Sequence, residues 1–476
     1  MCKVLVDLYE NLTGHKPDSI SPLTGSGSNR QYFRLSGEPT LIGVIGESIP
    51  ENNAFIKLAT RFLDRGISVP KVVAVAADSS AYLQEDLGHT SLFDMIASGR
   101  ATGNFSPEEI RLLEKTVSHL PEIQFSGAIG LNYDICYPLS EFNRRTVMWD
   151  LNYFKYCFLK TYGIDFNESR LEDDFERLAD KLLDGNWNTF MYRDFQSRNV
   201  MINHGEPYFI DFQGGRKGPV HYDVASFLWQ AKANFPEGLR KRLIDIYIES
   251  ASRFTDIDAA EFMLRLRHFV LFRLLQVLGA YGFRGRFERK LHFLESIPPA
   301  LKNIESLLKV PFEEYPALTD ILSRIIDKEK QATFNRDSLL VTVESFSYKR
   351  GIPEDRSGNG GGFVFDCRAM HNPGRYERYK SLTGRDTDVI KFLEEQGQVQ
   401  PFLENCYGLT DAAIETYMRR AFTSLCIFFG CTGGQHRSVY CAEAMARHIN
   451  ERFGVEVNLI HREQNINQTL PPLCRE

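Results

Sequence analysis

The stretch YRDFQSRNVMINHGEPYFIDFQGG, Tyr192 to Gly215, constrains this chain more than any other. Asp194 and Asn199 stand five residues apart, and Asp211 follows twelve residues after Asn199 at the end of the apolar run PYFIDF. Phosphoryl transfer needs a carboxylate to orient the attacking hydroxyl, and oxygen ligands for a Mg²⁺ that bridges nucleotide phosphates. An Asp/Asn/Asp set on two adjacent loops supplies both. Any one of these residues alone also fits a turn or a cap. The order D-x4-N, strand, I-D-F is harder to explain that way. No G-x4-G-K-[S/T] occurs in the chain, which excludes the P-loop class of nucleotide enzymes. Only about ten residues separate Asp211 from HYDVASFL at His221, too few for a long switchable segment, and no A-P-E follows. A small-molecule acceptor fits better than a protein.

At 476 residues the chain is long enough for two or three domains. The first 90 residues mix strand-like runs (RQYFRL, TLIGVIG, VPKVVAVA, SAYLQED) with the helical run NNAFIKLATRFLDRG. From about 106 to 180, and again from DVASFLWQA to about 330, apolar residues recur every three or four positions, the helical period. The charged stretch ending KEKQATFNRDS marks a boundary near 335. Beyond it, strand (LLVTVESFSY), strand (FVFDCRA), helices, strand (SLCIFFGC), helix (RSVYCAEAMARHINERF) and strand (VEVNLIHRE) follow one another. Strands alternating with helices predict a sheet covered by helices. The glycines at 358 and 360 to 362 read as a flexible strand connection, with a phosphate loop as the alternative. The expected class is α/β and α+β in two domains. A small mixed lobe (about 1–88) and a helical lobe (about 89–330) make up a first domain of 1–335, and a sheet domain occupies 336–476.

A hydrophobic fraction of 43%, a charged fraction of 25% and a net charge of −6 are those of soluble globular proteins and give no hint of bulk nucleic-acid binding. No apolar run approaches the roughly 20 residues of a membrane span. The start, MCKVLVDLYENLTGHKPDS, has no signal-peptide core. Nine scattered cysteines read as free thiols, which implies a cytoplasmic protein and no membrane partner.

The segments GSGSNRQYFR, ENNAF, LQEDLG, YRDFQSRN, IDFQGGRKGPVHYDVASFL and YPALTDIL together resemble the aminoglycoside phosphotransferase family of kinase-like folds. Within it, the match is best to the cell-wall kinases that phosphorylate N-acetylmuramate and N-acetylglucosamine at the anomeric hydroxyl. The resemblance covers about residues 1 to 330 and implies a bilobal fold, ATP and Mg²⁺. It implies that Asp194 is the catalytic base and that Asn199 and Asp211 hold the metal. Gly25, Ser26, Gly27, Ser28 and Asn29 would form the loop over the phosphates, and Gln84, Glu85, Asp86 and Leu87 the hinge beside adenine. Asp223 would anchor the catalytic loop. Tyr192 stands where many kinases have His, and Gln213 where Gly is common. The strand PTLIGVIGES lacks the lysine usually presented to the α and β phosphates, as does the amino-sugar branch. Arg30 or Arg34 would take over that charge, with Glu51 as a partner carboxylate.

A second motif, FFGCTGGQHRSVYCAEAM, places Arg437 and Ser438 after Cys431 in a C-x5-R-S spacing between a strand and a helix. A cysteine-dependent phosphatase uses that spacing, and so does a phosphate-binding cradle. Gly430 stands where a phosphatase has His, and no acid loop is evident. Cys431 also fits as a small buried hydrophobe.

The wider context, ESFSYKRGIP, FVFDCRAMHNPG, SLTGRD, GCTGGQHRSVYCAE and HRE in order over about 338 to 470, is similar to the C-terminal domain of RapZ. That resemblance implies a pocket for glucosamine-6-phosphate lined by Arg368, Cys431, Thr432, Gly433, Gly434, His436, Arg437 and Ser438. It also implies a small regulatory RNA as partner. Against the RNA, residues 338–476 hold 16 Lys and Arg but 17 Asp and Glu, and the chain lacks RapZ's basic tail. The expectation is an amino-sugar kinase of cell-wall recycling joined to a sugar-phosphate sensor. A nucleotide-binding adaptor without turnover, or a phosphatase in the second domain, are the alternatives.

Overall fold

The computed structural model describes the chain except residues 1, 24–29, 186, 289, 337–338, 356–361, 421 and 473–476, and the side chains of 286, 291–292, 331–336 and 419. The chain forms two compact units, Met1–Ile326 and Asp327–Glu476.

In the first unit, α1 (Lys3–Thr13) lies on an antiparallel sheet of β1 (Ser19–Leu23), β2 (Gln31–Ser36), β3 (Leu41–Ile45), β4 (Val72–Val75) and β5 (Ala81–Glu85), ordered β1-β2-β3-β5-β4. Leu5 and Tyr9 of α1 bury against Leu35, Leu41, Ala81 and Leu83. Helix α2 (Ile49–Asp64) follows β3 and buries Phe55, Leu58 and Phe62, spaced three and four apart as on one face of a helix. β1 was not legible in the sequence, because SISPL has no apolar alternation and stays largely exposed.

The helical lobe comprises α3 (Leu92–Met95), α4 (Ala97–Thr102), α5 (Pro107–Pro121), α6 (Arg144–Cys157), α7 (Glu168–Leu183), α8 (His221–Leu228), α9 (Glu237–Ala251), α10 (Ala259–Gly282), α11 (Leu291–Leu294), α12 (Ile297–Leu308) and α13 (Pro316–Arg336). α10 is buried along most of its length and packs on α6, α8 and α12. Two small ribbons interrupt the helices: β6 (Phe190–Met191) pairs with β9 (Arg216–Lys217), and β7 (Val200–Asn203) with β8 (Glu206–Phe209). The β7–β8 turn places His204 at φ 51° and Gly205 at φ 78°, the two left-handed residues of a tight hairpin.

The second unit is a five-stranded sheet of β10 (Leu340–Ser347), β11 (Gly362–Asp366), β12 (Ser424–Cys431), β13 (Glu456–His461) and β14 (Ile466–Leu470), ordered β11-β12-β10-β13-β14. The first four run parallel, and β14 pairs antiparallel on the edge. Its helices are α14 (Thr387–Glu395), α15 (Val399–Arg420) and α16 (Arg437–Phe453). β12 is almost wholly buried, as an interior parallel strand must be. The polar, exposed INQTL of β14 gave no strand signal in the sequence. The glycines 358, 360 and 361 lie outside the described residues, and Gly362 opens β11. No described helix is long and apolar enough to cross a membrane.

Candidate functional sites

The loop between β6 and β7 carries Asp194 and Asn199, and the turn after β8 carries Asp211. Hydrogen bonds join them. Asn199 Nδ2 donates to the Asp194 carbonyl (2.8 Å) and to Asp211 Oδ2 (3.3 Å), and Gln213 Nε2 donates to Asp211 Oδ1 (2.8 Å). Asp211 sits at φ 68°, a conformation that costs a non-glycine residue about 1 kcal/mol or more and persists only when surroundings enforce it. Burial, then the nearby Asp194 charge, push the Asp211 carboxyl up to about 6. The Asp194 side chain remains 45% exposed and is reachable by a substrate. Asp211 and Asn199 offer hard oxygen donors, which suits a Mg²⁺ completed by phosphates and water. No group of three or more His, Cys, Asp or Glu placed for a metal occurs among the described residues, so the protein alone builds no closed cage.

The loop is held from beneath. Both Asp223 carboxylate oxygens are used: Tyr192 N–H (2.9 Å) and Gln124 Nε2 (2.9 Å) donate to one, and Arg193 N–H (2.8 Å) to the other. Tyr192 donates its hydroxyl to the Ile210 carbonyl and so ties the Asp194 loop to the Asp211 turn.

In the small lobe, the sequence offered two arginines for the missing lysine, and the structure separates them. Arg34 Nε and Nη2 bind Asp86 (2.6 and 2.9 Å), and Nη2 also binds the Gly88 carbonyl (2.8 Å), just after β5. Arg30 instead lies 3.5 Å from Glu51 of α2, and Glu51 lies 3.5 Å from Gln213 Nε2. Arg30, Glu51, Gln213 and Asp211 thus form a polar chain from the small lobe to the turn after β8. Gln84, Glu85, Asp86 and Leu87 follow one another at the end of β5, and Gln84 Oε1 is buried without a hydrogen-bond partner among the described residues. Gly25, Ser26, Gly27, Ser28 and Asn29 lie outside the described residues.

In the second unit, the C-terminal ends of the parallel strands meet, with Ser347 opposite Cys431 and Asp366 opposite Gly430. Parallel sheets bind ligands at that end. The loop from Cys431 to His436 leads into α16 and is pinned on several sides. Ser347 Oγ donates to the Thr432 carbonyl (2.8 Å), Gln464 Nε2 to the Gly434 carbonyl (3.0 Å), and Gly434 N–H to Cys431 Sγ (3.2 Å). Gly434 is at φ 65°, where a Cβ would come within 2.4 Å of Glu463 Cγ. A Cβ on Gly433 would meet nothing within 4 Å. The Gly433 and Gln435 N–H groups find no acceptor among the described residues, just before a helix N-terminus.

Cys431 is only 3% exposed, with Sγ 3.1 Å from Ser438 Oγ. Burial pushes its thiol up, but hydrogen bonds from Ser438, the Arg437 charge and the Gly434 N–H outweigh it and leave it below the ordinary value. One nitrogen of Arg437 is engaged by backbone: Nη1 donates to the Arg368 (3.0 Å) and Met370 (2.8 Å) carbonyls, and its buried Nε has no partner among the described residues. His436 Nε2 lies 2.9 Å from the Tyr379 carbonyl. Arg368 is paired with Asp366 (2.6 Å) and lies over the Tyr348 ring at 4.1 Å. A relay the sequence did not suggest sits behind the loop. Ser345 Oγ lies 2.8 Å from His461 Nδ1, and His461 Nε2 lies 3.2 Å from Glu443 Oε1. Ser345 and His461 are fully buried, so the relay clamps β10, β13 and α16 together and offers no accessible nucleophile.

Residues 19–262 match the phosphotransferase enzyme family, the class that this kinase-like fold and the Asp194 site define, and the chain belongs to that family. Residues 339–465 match the RapZ C-terminal domain. The chain is 40% identical over 131 residues to a nucleotide-binding protein of Xanthomonas axonopodis pv. citri (strain 306), covering 28% of this chain and 45% of that protein. It is 32% identical over 253 residues to a nucleotide-binding protein of Xylella fastidiosa (strain M12), covering 48% of this chain and 85% of that protein. The chain thus spans less than half the length of the first relative and most of the second. Similar solved structures include choline kinase from Cryptosporidium parvum Iowa II (TM-score 0.47, 11% identity, 68% of this chain and 99% of that one). Choline kinase LicA from Streptococcus pneumoniae is another (TM-score 0.44, 14% identity, 64% and 98%).

Proposed function

We propose that the chain is an ATP- and Mg²⁺-dependent kinase of an amino sugar of the N-acetylmuramate or N-acetylglucosamine type, acting in cell-wall recycling, with a second domain that binds a sugar phosphate. The observation that carries the kinase reading is the hydrogen-bonded set of Asp194, Asn199 and Asp211 on a loop clamped by Asp223. Asp194 would accept the proton of the acceptor hydroxyl. The hydroxyl oxygen would form a bond to the γ-phosphorus as the bond to the β-phosphate oxygen breaks, releasing ADP. Mg²⁺ held by Asn199 and Asp211 would neutralise charge on the phosphates. In the second domain, the free N–H donors and the open space over Gly433 support an anion cradle, with glucosamine-6-phosphate as the candidate ligand. Burial of Cys431 and the use of Arg437 by two carbonyls support binding there over phosphatase turnover.

A second reading, an adaptor that binds nucleotide without turnover, is favoured by one observation: β3 carries no lysine, and its place beside Glu51 is taken by Arg30. A mass-spectrometric assay separates the two. Protein, Mg²⁺-ATP and a panel of N-acetylmuramate, N-acetylglucosamine, glucosamine, hexoses, homoserine and choline should yield a phosphorylated amino sugar. ATP binding with no phosphorylated product from any member sustains the adaptor instead.

A further inference from the structure

The proposed reaction leaves the acceptor's recognition open, and a cleft reached from the catalytic loop bears on it. It is lined by Thr146, Trp149, Asp150, Arg193, Arg216 and Tyr222, with a volume of about 50 Å³. Arg193 directly precedes Asp194, and a third guanidinium, Arg273, lies 5.7 Å from the Tyr222 ring and 4.0 Å from Asp194 Oδ1. Three cations therefore share the neighbourhood with two carboxylates, Asp150 and Asp194.

Of these cations Arg216 is the poorly compensated one; burial pushes the Arg193 guanidinium down, but the Asp194 and Asp150 charges and Tyr222 outweigh it and hold it above its ordinary value. Arg216 is only 3% exposed, and its Nε and Nη2 donate to one carbonyl, that of Gly214 (3.3 and 3.2 Å). Arg273 donates to Ser226 Oγ (3.1 Å) and Gln276 Oε1 (2.6 Å), and Asp150 Oδ2 accepts from Gln276 Nε2 (2.6 Å). Among the described residues, neither Arg193 nor Arg216 has a carboxylate oxygen within 4.0 Å. Burial, and then the neighbouring Arg193, push the Arg216 guanidinium down to about 10. A buried cation without a paired anion is costly, and a bound anion relieves that cost. A cationic acceptor would instead meet like charge.

We propose that Arg193 and Arg216 form an anion subsite of the acceptor pocket, so that the preferred acceptor is a sugar bearing a carboxylate, its ring on Trp149 and its reacting hydroxyl at Asp194. The proposal rests on the kinase reading above. Guanidinium groups bind carboxylates through paired charge-assisted hydrogen bonds. The cleft volume is that of about one or two waters, enough for a carboxylate on a short arm. Trp149, 56% exposed at this cleft, offers a flat apolar face to the C–H bonds of a pyranose.

The test uses three acceptors with the full-length protein and Mg²⁺-ATP: N-acetylmuramate, its lactyl methyl ester, and N-acetylglucosamine, each read as phosphosugar by mass spectrometry. The acid should exceed the ester in kcat/KM by about 30-fold or more, the loss of one charged hydrogen-bonded pair. The ester should behave like N-acetylglucosamine. In Arg216→Gln the acid-to-ester ratio should fall to within about threefold, a ratio that a reduced folded fraction leaves unchanged. Equal use of acid and ester by the unaltered protein overturns the anion subsite and leaves the amino-sugar kinase standing. A preference for the acid that survives both Arg216→Gln and Arg193→Gln overturns the assignment of these residues. Turnover of none of the three overturns the amino-sugar reading and this inference together.

Discussion

The Asp223 carboxylate accepts the backbone N–H of Arg193 at 2.8 Å, and Arg193 is held there at φ 77°, in the left-handed region. The residue before the candidate base is therefore strained, and a buried acid keeps it so. Asp223→Ala leaves the Tyr192 and Arg193 N–H groups without their acceptor, each at a cost of about 1–3 kcal/mol, while Gln124 Nε2 keeps the Val220 carbonyl (3.1 Å). We expect a loss of about 3 kcal/mol in chemical denaturation. Among molecules that remain folded, kcat should fall far more than the KM for ATP. Unchanged kcat would remove the anchor role.

Arg30 and Glu51 make a second testable pair. If Arg30 supplies the charge that a small-lobe lysine usually supplies, Arg30→Gln raises the KM for ATP by about 10- to 100-fold, the equivalent of about 1.4–2.7 kcal/mol. Arg30→Lys should recover part of it. Steady-state kinetics at several ATP concentrations decides the matter, and an unaltered KM in Arg30→Gln contradicts it.

His221 predicts a pH dependence of stability. Its ring is packed against Phe262 and Phe269, at centroid distances of 4.4 and 5.3 Å, with Trp187 at its edge. Burial, and then Arg265, push its pKa down to about 3 from the ordinary 6.5. Between those values the unfolded chain binds the proton and the folded chain does not. Stability is thus full above pH 6.5 and is lost as the pH falls through that window, at up to about 1.4 kcal/mol per unit. His221→Phe keeps the ring stack and removes the titration. Between pH 6 and pH 4 the unaltered protein should lose about 2 kcal/mol more than the variant in denaturant titrations. Parallel stability curves would refute this.

Two neighbouring glycines separate folding from binding in the second domain. Gly434→Ala forces a Cβ into Glu463 Cγ and to 2.9 Å from Ser347 N at a positive φ, and should lower the unfolding temperature of that domain. Gly433→Ala meets no protein atom within 4 Å. It should leave the unfolding temperature unchanged and weaken glucosamine-6-phosphate binding by about tenfold, since the methyl group occupies the space the phosphate needs. Calorimetry with that sugar phosphate measures both, and undiminished binding to Gly433→Ala would move the ligand elsewhere.

Much of the catalytic loop was legible in the sequence because its chemistry is local. Asp194, Asn199 and Asp211 fall within 18 consecutive residues, at spacings that a strand and two turns impose. The cysteine loop was legible for the same reason, with α16 starting at Arg437. What stayed hidden is assembled from distant segments. Asp150 on α6 and Arg216 on β9 share a cleft that no local spacing encodes. Ser345 and His461 meet only because β10 and β13 are paired in that register. The choice between Arg30 and Arg34 was also invisible: both flank or lie within β2, and only the packing of α2 brings Glu51 to the first.

The central claim is that Asp194 serves transfer rather than binding. Asp194→Asn keeps the size of the side chain and removes its basicity, so nucleotide affinity by calorimetry should stay within about threefold while single-turnover phosphosugar formation falls at least about 100-fold. The expected result is that split. Phosphosugar formation at the unaltered rate in Asp194→Asn would contradict it.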